Sequence, residues 1–168
     1  MMKNKYKTMA IIVVTLALGI WGLYEAPINE ELNGKISANV YKDGVITSDT
    51  TVAMYGQKSN YLFHDDNRFE GKFIIPSYEI TYGGTAIINR IDDTNMHKLF
   101  YAQLEPFAEQ EIHAPLLINE YMSEFALMTI DGTVIATSDE LYVLFIKHVH
   151  ADAGGTTIRH IDEIPRIE

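Results

Sequence analysis

The chain has 168 residues, 47% of them apolar, which is room for one domain with an appendage and enough to build a packed core. A formal net charge of −10 disfavours nucleic acid and anionic surfaces as partners. The absence of Cys excludes disulfides, thiolate metal sites and thiol catalysis.

Lys3, Lys5 and Lys7 precede an apolar run from Met9 to Leu23, broken only by Thr15 and two glycines, and Glu25, Pro27, Glu30 and Glu31 follow. A basic head and an acidic far side insert with the N-terminus inside, because Lys and Arg resist translocation. A secretory signal and a membrane anchor both fit the run. The cleavage exit is poor, since Tyr24-Glu25-Ala26 sets a bulky Tyr where a small residue belongs. Thr8 to Tyr24 is near the short end of the roughly 17–25 residues that span a bilayer, with Trp21 and Tyr24 placed as interfacial aromatics. We therefore expect one N-terminal transmembrane helix over residues 1–24, a retained signal-anchor in contact with membrane lipid, then a tether over 25–33 and an extracytoplasmic domain over 34–168. The alternative is secretion after cleavage. All 23 acids lie from Glu25 onward, so that portion holds 10 bases and a net charge of −13.

Beyond the tether the pattern is β-like. Lys35–Tyr41 alternates, and Asp43-Gly44 is a hairpin turn signal. Thr50–Tyr55, a short run at Tyr61–Phe63, and Arg68–Ile75 follow, the last stopped by Pro76. Tyr78–Tyr82, Thr85–Ile91 and Met96–Leu104 read as further strands, and Glu105–Pro115 as an irregular stretch with room for a short helix. Glu124–Ile130 and Thr133–Ser138 flank Asp131-Gly132 as the clearest hairpin. Leu141–Val149 reads as a central strand buried on both sides, and Thr156–Ile161 as a last strand. Short strands with irregular loops predict an all-β domain, an antiparallel β-sandwich of immunoglobulin-like or prealbumin-like type.

The succession Gly34-Lys35-Ile36, Asp43-Gly44, Thr51-Val52-Ala53-Met54-Tyr55-Gly56 and Arg68-Phe69-Glu70-Gly71-Lys72-Phe73-Ile74-Ile75 resembles the prealbumin-like, carboxypeptidase-regulatory-type β-sandwich. The resemblance covers the first half of the domain. It implies a non-catalytic accessory or interaction module, and no site residue carries over.

His148-x-His150, with Asp152 two residues on and His160 nearby, is the most chemical-looking group. On a strand, positions i and i+2 share a face, so two imidazoles and a carboxylate there would suit Zn²⁺. Strand ends expose polar side chains in any case. Asp65-Asp66-Asn67 and Asp92-Asp93-x-Asn95 offer oxygen ligands for Ca²⁺, but such clusters also serve turns. The acidic stretch Glu105 to Glu111, with Phe107, is a candidate docking loop. No G-x-S-x-G elbow and no phosphate-cradling glycine loop occurs. The expectation is a non-catalytic binding or assembly module of the cell envelope, with no cofactor, no nucleic acid and a protein partner. A metal-binding protein using His148 and His150 is the first rival, and a hydrolase assembled from loops the second.

Overall fold

The computed structural model describes residues 2–63, 67–91, 96–102, 113–152 and 155–158. An N-terminal helix, α1 (Met2–Glu25), leads into two long strands, β1 (Ile28–Lys42) and β2 (Val45–Asn60). They form one antiparallel hairpin, registered from Ile28 opposite Asn60 to Lys42 opposite Val45. Asp43 (φ 51°) and Gly44 (φ 83°) both take positive φ, the two-residue turn whose twist matches the flanking strands. A bulge inserts Thr47 where Val40 gives way to Tyr41. The extra residue lies on β2, while β1 keeps its alternation, with Ala38 and Val40 toward the barrel interior and Tyr41 outside it.

The remaining strands are β3 (Arg68–Ile74), β4 (Thr85–Arg90), β5 (Met96–Ala102), β6 (His113–Ile118), β7 (Phe125–Met128) and β8 (Val134–Ala136). Each pairs antiparallel with the next, and β8 returns to β1 at Asn39–Tyr41, closing a barrel. Inward positions hold the apolar side chains: Val52, Met54, Phe69, Phe73, Leu99, Leu116, Phe125, Leu127 and Ile135 are all at most 3% exposed. Phe73 meets Phe125 edge-on at 5.5 Å, and the Tyr101 hydroxyl, deep among them, donates to the Phe73 carbonyl at 2.7 Å. The interior is a packed core of side chains, as small barrels require.

A second apolar layer lies outside the barrel. Helix α3 (Asp139–His148) covers β7 and β8 with Leu141 and Phe145, against Leu117, Ala126, Met128, Val134 and Ala136. The chain ends in a two-stranded ribbon, β9 (Val149–Asp152) with β10 (Gly155–Ile158).

Four expectations need correction. The domain is a closed eight-stranded barrel, not a sandwich of two sheets. The reason is strand length: β1 and β2 run 15 and 16 residues, so that β2 reaches β3 with Ala53–Ser59 at one end of the hairpin while β1 reaches β8 with Asn39–Tyr41 at the other. Second, among the described residues no helix is long and apolar enough to cross a membrane, so the transmembrane signal-anchor falls. The stretch Met9–Leu23 rises only about 22 Å at 1.5 Å per residue, against about 30 Å of hydrocarbon. Third, Leu141–Val149 is helix α3 and not a buried strand. Ser138 accepts a hydrogen bond from the Leu141 N–H at 3.2 Å, with Asp139 and Glu140 in the first turn and Lys147 and His148 in the last. Fourth, Tyr78–Tyr82 holds a single helical turn, α2 (Ile80–Gly83), where Thr81 binds back to the Ile75 and Tyr78 carbonyls.

Candidate functional site

The long hairpin leaves one part of the barrel seam open. β1 pairs with β2 along its whole length, but with β8 only at Asn39–Tyr41. Among the described residues, Ile28–Ala38 therefore has a strand neighbour on one side only. Main-chain N–H and C=O groups that point away from β2 along this stretch form an open edge, a template on which another strand can pair.

Several features hold the edge extended. Alternation places Leu32, Ile36 and Ala38 toward the interior and leaves Asn29, Glu31, Asn33, Lys35 and Ser37 exposed on the outer face. Asn29 accepts a hydrogen bond from the Ser59 hydroxyl at 2.9 Å, pinning the far end of the hairpin. Opposite Glu30, the Lys58 side chain turns inward, is 8% exposed, and donates to the Glu120 carbonyl at 2.6 Å, tying β2 to the turn between β6 and β7. Gly56 lies directly across from Gly71 on β3. A Cβ on Gly56 would come within 2.7 Å of the Gly71 Cα, so two glycines are needed for the paired strands to approach this closely. β2 stays paired with β3 on both sides of this point, from Ala53 to Ser59, so this half of the hairpin belongs to the barrel wall and its free side is the β1 edge.

The edge carries opposite charges four residues apart from Glu31 to Lys35, both exposed. Sequence reasoning placed residues 25–33 in a tether and so missed it. The signal was present in the alternation of Ile28, Glu30 and Leu32 with Asn29, Glu31 and Asn33.

His148 sits in the last turn of α3, while His150 and Asp152 lie on β9, so the proposed trio does not share one strand face. His148 is 2% exposed, and among the described residues neither ring nitrogen has a hydrogen-bond partner. No described Ser hydroxyl or carboxylate therefore engages it. The side chains of His150 and Asp152 are outside the described ones, as are residue His160, Asp65-Asp66, Asp92-Asp93-x-Asn95 and the stretch Glu105 to Glu111. Among the described residues no group of three or more His, Asp or Glu could hold a metal ion. Lys3, Lys5, Lys7, Trp21 and Tyr24 all lie on α1. Trp21 is 64% exposed, and the Tyr24 ring stacks on Phe63 at 6.0 Å. The described α1 side chains from Ile11 to Glu25 are all exposed, and apart from Phe63 against Tyr24 the described chain leaves this helix uncovered.

The other polar cluster is structural. Asp131, in the turn between β7 and β8, accepts from the Tyr78 hydroxyl at 3.0 Å, the Thr133 hydroxyl at 3.0 Å and the Thr129 hydroxyl. Burial works against its charge, but these hydroxyl donors outweigh it and hold the carboxyl below its ordinary value. Compared with protein-family models, with curated proteins and with solved structures, the chain matches none.

Proposed function

We propose that the chain is a non-catalytic binding module, displayed outside the cytoplasm, that takes up its partner by strand addition along Ile28–Ala38 of β1. The observation that carries this reading is the open edge, eleven residues of extended backbone with a strand on one side only among the described residues. Main-chain pairing supplies affinity in such contacts and alternate side chains supply selectivity. The packed interior supports the same reading, because the described barrel core is filled by Phe, Leu, Ile and Met. Export is supported by the basic-to-acidic asymmetry around an apolar run of h-region length.

Two adjacent proline substitutions test the edge. Successive residues of a strand turn their N–H groups alternately to the two sides. Of Glu30→Pro and Glu31→Pro, one therefore removes a bond to β2 and the other removes only an N–H of the open edge. The partner is identified by crosslinking in intact cells, and the two variants are then compared by thermal melting and by partner capture. The reading requires that the variant which melts like wild type loses the partner. Retention of the partner by that variant ends it.

A second reading, a metal site at His148, is favoured by its two unpartnered ring nitrogens. Added Zn²⁺ should then raise the melting temperature of wild type and not of His148→Leu. No shift in wild type removes this reading.

A further inference from the structure

We infer that the strand added to β1 is β1 of a second copy of this chain, paired antiparallel about a two-fold axis at Asn33. The inference rests on the open-edge reading and specifies its occupant. A two-fold antiparallel pairing has one free parameter, the residue that lies opposite itself. Using the whole open edge sets Ile28 opposite Ala38 of the second copy, and this alone centres the pairing on Asn33. The same register sets Glu31 directly opposite Lys35, and Lys35 opposite Glu31, on the exposed outer face. Asn29 then faces Ser37, and Asn33 faces itself. Edge length and charge, which have no common origin, thus select one register. Moving the centre by one residue to Gly34 sets Glu31 against Ser37 and Lys35 against Asn33, so both unlike-charge pairs are lost.

Directly opposed unlike charges favour a strand pair, and like charges in those positions oppose it. Isolated charged edges ordinarily resist pairing with arbitrary strands. Here Glu31 and Lys35 each meet their complement in the self-paired register, while Glu30 faces Ile36, so the outer-face charges that oppose other strands favour a second copy. Two barrel walls would join into one continuous sheet, with the two copies of α1 leaving at opposite ends of the paired strands.

The test uses the full chain in a non-ionic detergent micelle, which covers α1. Sedimentation equilibrium should show a dimer. Glu31→Lys should raise its dissociation constant by at least about tenfold, because both cross-strand pairs become Lys against Lys. General repulsion predicts the reverse for this variant, since it lowers the net negative charge by two. Lys35→Glu should weaken the dimer likewise, and the double exchange Glu31→Lys with Lys35→Glu should restore it to within about threefold. Because the chain has no Cys, Asn33→Cys introduces a single thiol at the axis. Mild oxidation should trap this variant as a covalent dimer, since directly paired Cα atoms lie within disulfide range. Glu31→Cys should not be trapped, its two copies being four residues out of register. A wild-type monomer at all concentrations overturns the inference, as does trapping of Glu31→Cys in preference to Asn33→Cys. Amide exchange then separates the two failures. A monomer with fast-exchanging outward amides over residues 28–38 sinks self-pairing and leaves the open edge standing. Slow exchange there at every dilution means the edge is closed within the chain, and both readings fall.

Discussion

Asp131 shows how a single side chain organises a turn. Its carboxylate gathers three hydroxyl donors and the Thr133 N–H, while Thr129 and Thr133 close the turn through a backbone bond at 2.9 Å. Its folded pKa lies below the ordinary 3.8, because the donors outweigh the burial that opposes its charge. A carboxyl depressed in the folded state contributes stability that is present above the unfolded value and lost as pH falls through the folded one. Asp131 is exposed and water screens its bonds, so Asp131→Ala should cost no more than about 1 kcal/mol at pH 7. Urea melts of wild type and variant at pH 7 and again below the ordinary carboxyl range should show that gap narrowing in acid. His148 is the opposite case, a buried imidazole with no hydrogen-bond partner among the described residues. Replacing an unsatisfied buried polar group by an apolar one of similar size relieves its desolvation, so His148→Leu should raise stability by about 1 kcal/mol. A loss of stability instead would indicate that the ring holds a ligand.

At the scale of elements, the close approach of Gly56 to Gly71 and helix α3 make separate claims. Gly56→Ala or Gly71→Ala forces backbone apart on both strands and should cost about 3 kcal/mol or more, measured by denaturant unfolding. Gly34→Ala, with nothing within 4 Å of its Cβ, should be neutral or mildly stabilising. Ser138→Ala should cost about 1 kcal/mol through the lost cap of α3. The hairpin turns at Asp43-Gly44 and Asp131-Gly132 were legible in the sequence because positive φ leaves a local chemical mark. Helix α3 was misread because its ten residues carry Leu141, Val143 and Phe145, which satisfy a period of two as well as Leu141, Phe145 and His148 satisfy one of 3.6. Ser138 ahead of Asp139 and Glu140 was the arbitrating signal, since a capped acidic first turn belongs to helices alone. Closure into a barrel left no such local mark. It depends on β1 meeting β8, nearly a hundred residues away in sequence, over three residues only. The open edge is the by-product of that short closure, and it was hidden for the same reason.

For the whole molecule, net charge and self-pairing pull in opposite directions, and salt separates them. Two chains of net charge −10 repel over a range set by the Debye length, about 30 Å at 10 mM salt and about 8 Å at 150 mM. With centres about 30 Å apart, screened Coulomb repulsion is about 5 kcal/mol at the lower salt and below about 1 kcal/mol at the higher. The Glu31 and Lys35 pairs, in direct contact, are still felt at 150 mM and are screened only toward 1 M, where the Debye length is about 3 Å. The dimer dissociation constant should therefore fall at least tenfold from 10 to 150 mM salt, then rise again toward 1 M. In the Asn33-centred register the rise belongs to those two pairs, so Glu31→Lys should remove it and keep the initial fall. A wild-type constant that climbs steadily from 10 mM would mean that attraction between unlike patches dominates at long range, which a chain this acidic cannot supply to a copy of itself.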